Sequence, residues 1–325
     1  MAEKIYVLIH HSGGLIHNIS YECLAMGQKL ARETGGSVSA IMLGHEVGPL
    51  SEELADTALD EVLLVEDEKL AEYSPEGYSA ALAQILAENE PDLLLMGQVY
   101  QNIDLAPKLA AKLETGLATD CIDLKKNGEE LVFTRQMFRN KLNADMVFAC
   151  DPPWIATLQA GAFLADNLEK GTASSVSRGV DLSSVEFQRK SLETLQMTKQ
   201  KVDLSQAEIV VGVGRGVKQQ ENMAVIEELA QTLGAEIGAS RPVVDNEWLQ
   251  RDRQIGSSGQ TVSPKLYIAA GISGAIQHVV GIKNSGCIVA INSDQNAPIF
   301  NVANYGIVGD LLEIIPALTK KLRGD

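Results

Sequence analysis

The chain lacks paired cysteines, long apolar runs and an excess of positive charge. Cys23, Cys121, Cys150 and Cys287 stand far apart with no C-x-x-C spacing, which argues against a zinc site and a disulfide framework. They read as reduced core thiols. No apolar run approaches the roughly 18 residues of a membrane span, and Met1-Ala2-Glu3-Lys4 leads directly into a strand-like run, unlike a signal peptide. The expectation is a soluble, cytoplasmic protein without membrane insertion. Asp and Glu number 43 against 27 Lys and Arg, so the formal charge of -16 repels phosphate backbones and argues against nucleic acid as a partner. His10, His11, His17 and His45 have no metal-ligand spacing with acids or cysteines, and no metal site is expected.

What is present is length and regular alternation. A chain of 325 residues exceeds what one core usually serves, so two domains are expected. Charge divides unevenly between them: from Glu208 onward the balance is -2, leaving -14 to the preceding residues. Strand-like runs at Ile5–Ile9, Val38–Leu43, Val62–Val65 and Leu93–Met96 alternate with helical spacing at Asn18–Arg32, Pro75–Glu88 and Asp104–Leu113. Leu131–Phe138 and Trp154–Leu158 suggest added strands, and Gly171–Ser191 is polar and serine-rich. The boundary is placed near residue 200, giving domains 1–200 and 201–325. The fold class expected is α/β: two doubly wound Rossmann-like domains with mainly parallel sheets, the first with added antiparallel strands.

In the second segment, strands are expected at Ile209–Val213, just after Gly234, at Leu266–Ala270 and at Cys287–Ile291, with a fifth run beginning at Ile299-Phe300. Helices are expected at Asn222–Leu233 and Leu311–Leu322, and Gly234 suits the left-handed turn after the first. Pro242 biases Arg241 toward an extended backbone at a strand end rather than inside a helix. If the strands are parallel, Arg215, Ser240, Arg241, Ser273 and Asn292 collect at one sheet edge. That is where open α/β sheets bind ligands, and backbone amides there favour an anion. On this reading the missing side chains of Gly271 and Gly274 let the backbone approach a diphosphate.

Other readings stand beside this one. Gly-rich strand-to-helix turns also serve packing alone, and a solitary helical histidine such as His278 is often structural. Gly212, Gly214 and Gly216 form G-x-G-x-G rather than G-x-G-x-x-G, and Ser240-Arg241 stand where an NAD site wants an acid for the ribose. The alternative function is a pyridine-nucleotide-dependent oxidoreductase using the same strand-end crevice, with Arg241 on a 2′-phosphate. A nucleotide-binding regulatory module is a third reading.

Taken together, "GVGRG" at 212–216, "GASRPVVD" at 238–245, "QIGSSGQTVSPKLYIAAGISGAIQH" at 254–278 and "IVAINSDQNAPIFNVANYGIVGDL" at 288–311 resemble electron-transfer flavoprotein alpha subunits. "LLLMGQVYQNIDLAPKLAAKLETGLATDC" at 93–121 extends the resemblance, more loosely, into the first segment.

The resemblance implies an FAD-containing electron carrier whose second domain holds the flavin and whose first domain contacts a beta subunit in a heterodimer. AMP or a second FAD is implied in the beta subunit. Partners implied are acyl-CoA dehydrogenase-type flavoproteins and a quinone oxidoreductase or ferredoxin; some relatives bifurcate electrons. Position by position, Arg215 covers the flavin region, Ser240 and Arg241 reach the ring or its linker, and Ile255, Gly256, Ser257 and Ser258 lie along it. Ser258 supplies a hydroxyl near N5, where relatives often carry Q-T-G against Ser257-Ser258-Gly259 here. Ser273, Gly274, Ala275, Ile276 and Gln277 approach the phosphates, His278 the C2 carbonyl, and Asn292, Asp310 and Leu311 the adenosine end. Arg241 and His278 are expected to raise the flavin potential by favouring its charged, reduced form.

Overall fold

The computed structural model describes residues 3–128, 130–138, 141–188, 204 and 207–324. Its two compact units are Met1–Thr194 and Leu195–Asp325. The boundary expected near residue 200 falls outside the described residues.

The first unit contains strands β1 (Lys4–Leu8), β2 (His11–Ser12), β3 (Leu15–Ile16), β4 (Ser37–Gly44), β5 (Val62–Glu66), β6 (Leu93–Gly97), β7 (Leu117–Asn127), β8 (Glu130–Met137), β9 (Leu142–Met146), β10 (Trp154–Leu158) and β11 (Ser175–Ser177). Its helices are α1 (Asn18–Thr34), α2 (Gly48–Ser51), α3 (Pro75–Asn89) and α4 (Tyr100–Leu113). The large sheet runs β11-β5-β4-β1-β6-β10-β7-β8-β9. Pairing is parallel as far as β7 and antiparallel through β8 and β9. The central strands are apolar along their whole length because both faces are covered, by α1 on one side and by α3 and α4 on the other.

Two sequence segments take their places in this sheet, and the reading of all four cysteines as core thiols is corrected. Trp154–Leu158 is an interior parallel strand between β6 and β7, with Ile155, Ala156 and Leu158 wholly buried. The polar Gly171–Ser191 segment carries the edge strand β11, whose serines suit a strand with one free side. Of the cysteines, all free, Cys23 and Cys121 are core thiols, but Cys287 is half-buried and Cys150 is exposed.

The second unit contains β12 (Ile209–Val213), β13 (Glu236–Ala239), β14 (Leu266–Ala270), β15 (Cys287–Asn292) and β16 (Tyr305–Val308), with α5 (Met223–Leu233), α6 (Arg241–Asp245), α7 (Ile276–Val279) and α8 (Leu311–Arg323). All pairs are parallel, in the order β13-β12-β14-β15-β16. Helices α5 and α8 cover one face around Ile226, Leu229, Leu311 and Ile315. Ile255, Val262, Ile272, Ile282 and Ile299 cover the other, from loops and short turns. Helix α5 ends as expected at Gly234, left-handed at φ +63°.

Two local readings fail. Ile299-Phe300 lies in the 3-10 turn Pro298–Asn301 rather than a strand; Ile299 anchors that turn in the core, and the fifth strand follows at β16. Arg241 is not extended but opens α6, with Ser240 at the N-cap and Pro242 in the first turn. A first-turn amide has no partner inside the helix, so proline forfeits no hydrogen bond there. Among the described residues, no helix is long and apolar enough to cross a membrane, and no group of His, Cys, Asp and Glu is arranged to hold a metal.

Candidate functional site

In the second sheet the chain departs in opposite directions after β12 and after β14, the reversal at which open α/β sheets hold ligands. The two turns are locked together. Gly214 donates its amide to the Ala270 carbonyl at 2.8 Å and Gly216 to the Gly271 carbonyl at 3.0 Å. A Cβ on Gly214 would stand 2.1 Å from the Gly271 carbonyl oxygen, and one on Gly271 2.8 Å from Gly216 Cα. Gly274, at φ +87°, would drive a Cβ to 2.1 Å from the Ile299 amide nitrogen. These glycines are thus required by chain crossing and positive φ. Close backbone packing is therefore one reason for glycine at both Gly271 and Gly274.

Beside this junction lies a cavity of about 640 Å³. Arg215, Ser240, Arg241, Ile255, Gly256, Ser257, Ser258, Ser273, Ala275, Gln277, His278 and Asn292 line it, together with Gly214, Gly216, Pro242, Gly271 and Ile272. It brings together residues from four loops. Gly274, Ile276, Asp310 and Leu311 are not in the lining. Ile276 is exposed and Leu311 is buried in the core beside α5. Asp310 caps α8, accepting from the Leu312 amide at 2.9 Å and pairing with Lys218 Nζ at 3.1 Å. That amide, then Lys218, holds its carboxyl below the ordinary range.

Two arginines and no acid line the cavity, in a chain whose formal charge is -16. Arg241 is 72% exposed and its Nε lies 3.4 Å from Asp245, so its charge is partly answered within α6. Other lining residues build the walls. Asn292 donates from Nδ2 to the Ile272 carbonyl at 2.8 Å and accepts from the Asp294 amide at 2.9 Å. Ser257 donates its amide to the Gln277 carbonyl at 2.7 Å, pinning the 254–260 loop to α7. Ser258 Oγ accepts from Gln254 Nε2 at 2.8 Å, which leaves the serine's own proton to donate elsewhere.

His278 is buried at 6% exposure, and its Nε2 lies 2.9 Å from the Tyr267 hydroxyl. Its Nδ1 is buried without a hydrogen-bond partner. Burial lowers the imidazole pKa from 6.5 to about 4, partly offset by the Ile255 backbone, so the ring is neutral at neutral pH. Sequence reasoning passed over Tyr267 and Gln254. Tyr267 sits inside an apolar strand, where pattern cannot separate a functional phenol from a packing one; Gln254 carries no motif of its own.

An orphaned buried nitrogen, two arginines with no acid among the lining residues and a crevice at the strand reversal fit a large anionic cofactor with hydrogen-bonding edges. The comparisons agree. Residues 203–283 match the electron transfer flavoprotein FAD-binding domain, and residues 5–181 the electron transfer flavoprotein domain. The electron transfer flavoprotein subunit alpha of Bacillus subtilis is 39% identical over 99% of this chain and 98% of its own length. That of Thermoanaerobacterium thermosaccharolyticum is 38% identical over 99% of this chain and 98% of its own. The acryloyl-CoA reductase electron transfer subunit beta of Anaerotignum propionicum is 35% identical over 98% of this chain and 95% of its own. The chain belongs to the electron transfer flavoprotein alpha-subunit family.

Proposed function

We propose that this chain holds FAD in the second-unit cavity. Paired with a beta subunit as a heterodimer, it carries electrons from an acyl-CoA dehydrogenase-type flavoprotein to a quinone-linked or other acceptor. The observation that carries the reading is the cavity itself: two arginines and no acid, beside a buried histidine nitrogen in need of a partner. When bound, FAD supplies the acceptance and release of electrons.

The chain's own residues bind, orient and set the field. Arg215 and Arg241 offset negative charge on the cofactor. Ser258, with its lone pair engaged by Gln254, offers a hydroxyl proton. His278 acts as a neutral donor rather than a cation, because burial keeps it deprotonated. Of the two residues expected to raise the flavin potential, Arg241 acts through charge and His278 through its hydrogen bond. Asp310, outside the cavity lining, offers a carboxylate to the adenosine end beside its bond to Lys218. The pyridine-nucleotide alternative gains no support, since β13 is followed by Ser240 and Arg241 rather than an acid.

The visible spectrum and cofactor content of the copurified complex test the proposal. One FAD with one AMP in the beta subunit is the result expected of a simple carrier. Two FAD and no AMP would assign the complex to the bifurcating type, whereas a colourless complex that takes up no FAD would refute the reading.

A further inference from the structure

Tyr267, the second residue of β14, is wholly buried, and its hydroxyl has His278 Nε2 as its hydrogen-bond partner at 2.9 Å. Burial raises the phenol pKa well beyond its ordinary range, so the hydroxyl keeps its proton. That proton needs an acceptor, and Nε2 provides one only when it carries no hydrogen. The opposite arrangement, Nε2–H donating to the phenol oxygen, would strand the phenol proton in a buried site. A neutral ring accepting at Nε2 must carry its hydrogen on Nδ1, the nitrogen left without a partner.

The sequence makes specific room for this contact. A Cβ at Gly212 would fall 1.8 Å from the Tyr267 hydroxyl oxygen and 2.3 Å from Cζ. The first glycine of G-V-G-R-G therefore admits the phenol from the neighbouring strand, a role separate from the crossing of Gly214 with Gly271. Ile255 and Gly256, against which the His278 segment packs, bring no charged side chain to the ring.

We propose that Tyr267 is a positioning residue: by donating to Nε2 it locks His278 in the Nδ1–H tautomer and fixes which ring nitrogen offers a proton to the cavity's occupant. The significance for a flavin rests on the function proposed above. The tautomer itself does not.

The test uses the full-length chain labelled with 15N-histidine, with and without FAD, and long-range proton–nitrogen correlation spectra at pH 7. The chain has 5 histidines, and His278→Gln assigns the signal. The wild type should show a protonated Nδ1 and a bare Nε2 in the flavin-free chain. Tyr267→Phe preserves the ring that fills the core, and should move His278 toward the Nε2–H tautomer and shift the midpoint potential of bound flavin to a more negative value. A wild-type ring protonated on Nε2 would overturn the proposal, and so would a folded Tyr267→Phe variant with unchanged tautomer and potential. Because the flavin-free spectra decide the role of Tyr267, failure to bind FAD would count against the proposed function alone.

Discussion

Asn292 Nδ2 donates to the Ile272 carbonyl across 2.8 Å, so the last residue of β15 holds the loop that leaves β14. The same side chain accepts from the Asp294 amide. A residue expected at the adenosine end of the ligand is therefore also part of the cavity wall. Asn292→Ala should lower stability by about 1–3 kcal/mol, the usual consequence of stranding backbone groups, and weaken FAD binding. Thermal unfolding with and without FAD separates the two effects, and unchanged unfolding would show the wall role to be unimportant.

Gly214→Ala should be among the most damaging glycine substitutions in the second unit. Its Cβ would stand 2.1 Å from the Gly271 carbonyl oxygen and 2.6 Å from Ile272 Cα, both backbone atoms. We expect a loss of about 3 kcal/mol or more, at or above the upper end for overpacking. Gly179→Ala is the control, since a Cβ there meets nothing within 4 Å. Denaturant midpoints of the two variants should differ clearly.

The strands and their turns were legible because burial on both faces leaves apolar runs, and glycine marks where each run stops. Ile209–Val213 and Leu266–Ala270 show this well. Strand β16 was missed because Tyr305, Ile307 and Val308 are exposed at the sheet edge, while the nearby Ile299 supplied the apolar signal from a 3-10 turn. The polar, bulged β7 was missed for a similar reason: its burial is irregular along the strand. At the site, spacing located the glycines but not the backbone that presses on them. The Tyr267–His278 contact joins residues 11 apart through tertiary packing, which no local pattern encodes.

Acid stability should carry opposing contributions. Glu22 is buried with its carboxylate held by the Gly161 amide at 2.7 Å and Asn18 Nδ2 at 2.9 Å, yet burial outweighs both and raises its pKa from 4.5 to about 7. The folded state then binds the extra proton, so Glu22's contribution is full below pH 4.5 and is lost as pH rises to about 7. His278 has the opposite sign: its contribution is present above pH 6.5 and is lost as pH falls toward 4. Each amounts to something on the order of 3 kcal/mol. The difference between wild-type and Glu22→Gln unfolding free energies should slope across pH 4.5–7, and a flat difference would contradict the burial argument.

Arg215→Ala and Arg241→Ala should each weaken FAD retention by about tenfold, equivalent to about 1.4 kcal/mol. Arg241→Ala should also make the flavin midpoint potential more negative, modestly, because the guanidinium is largely solvated and partly paired with Asp245. A redox titration of the flavin-loaded variant checks this; an unchanged potential with FAD retained would remove Arg241 from the account.

Whether the cavity beside the Gly214–Gly271 crossing is where FAD sits can be tested by blocking it. Ser273, exposed and on the lining, accepts a larger side chain only at the expense of that space. Fluorescence titration of the full-length chain with FAD should give one bound flavin per wild-type chain and none in a folded Ser273→Trp variant. Equal stoichiometry and affinity in both would place the flavin elsewhere and contradict the account.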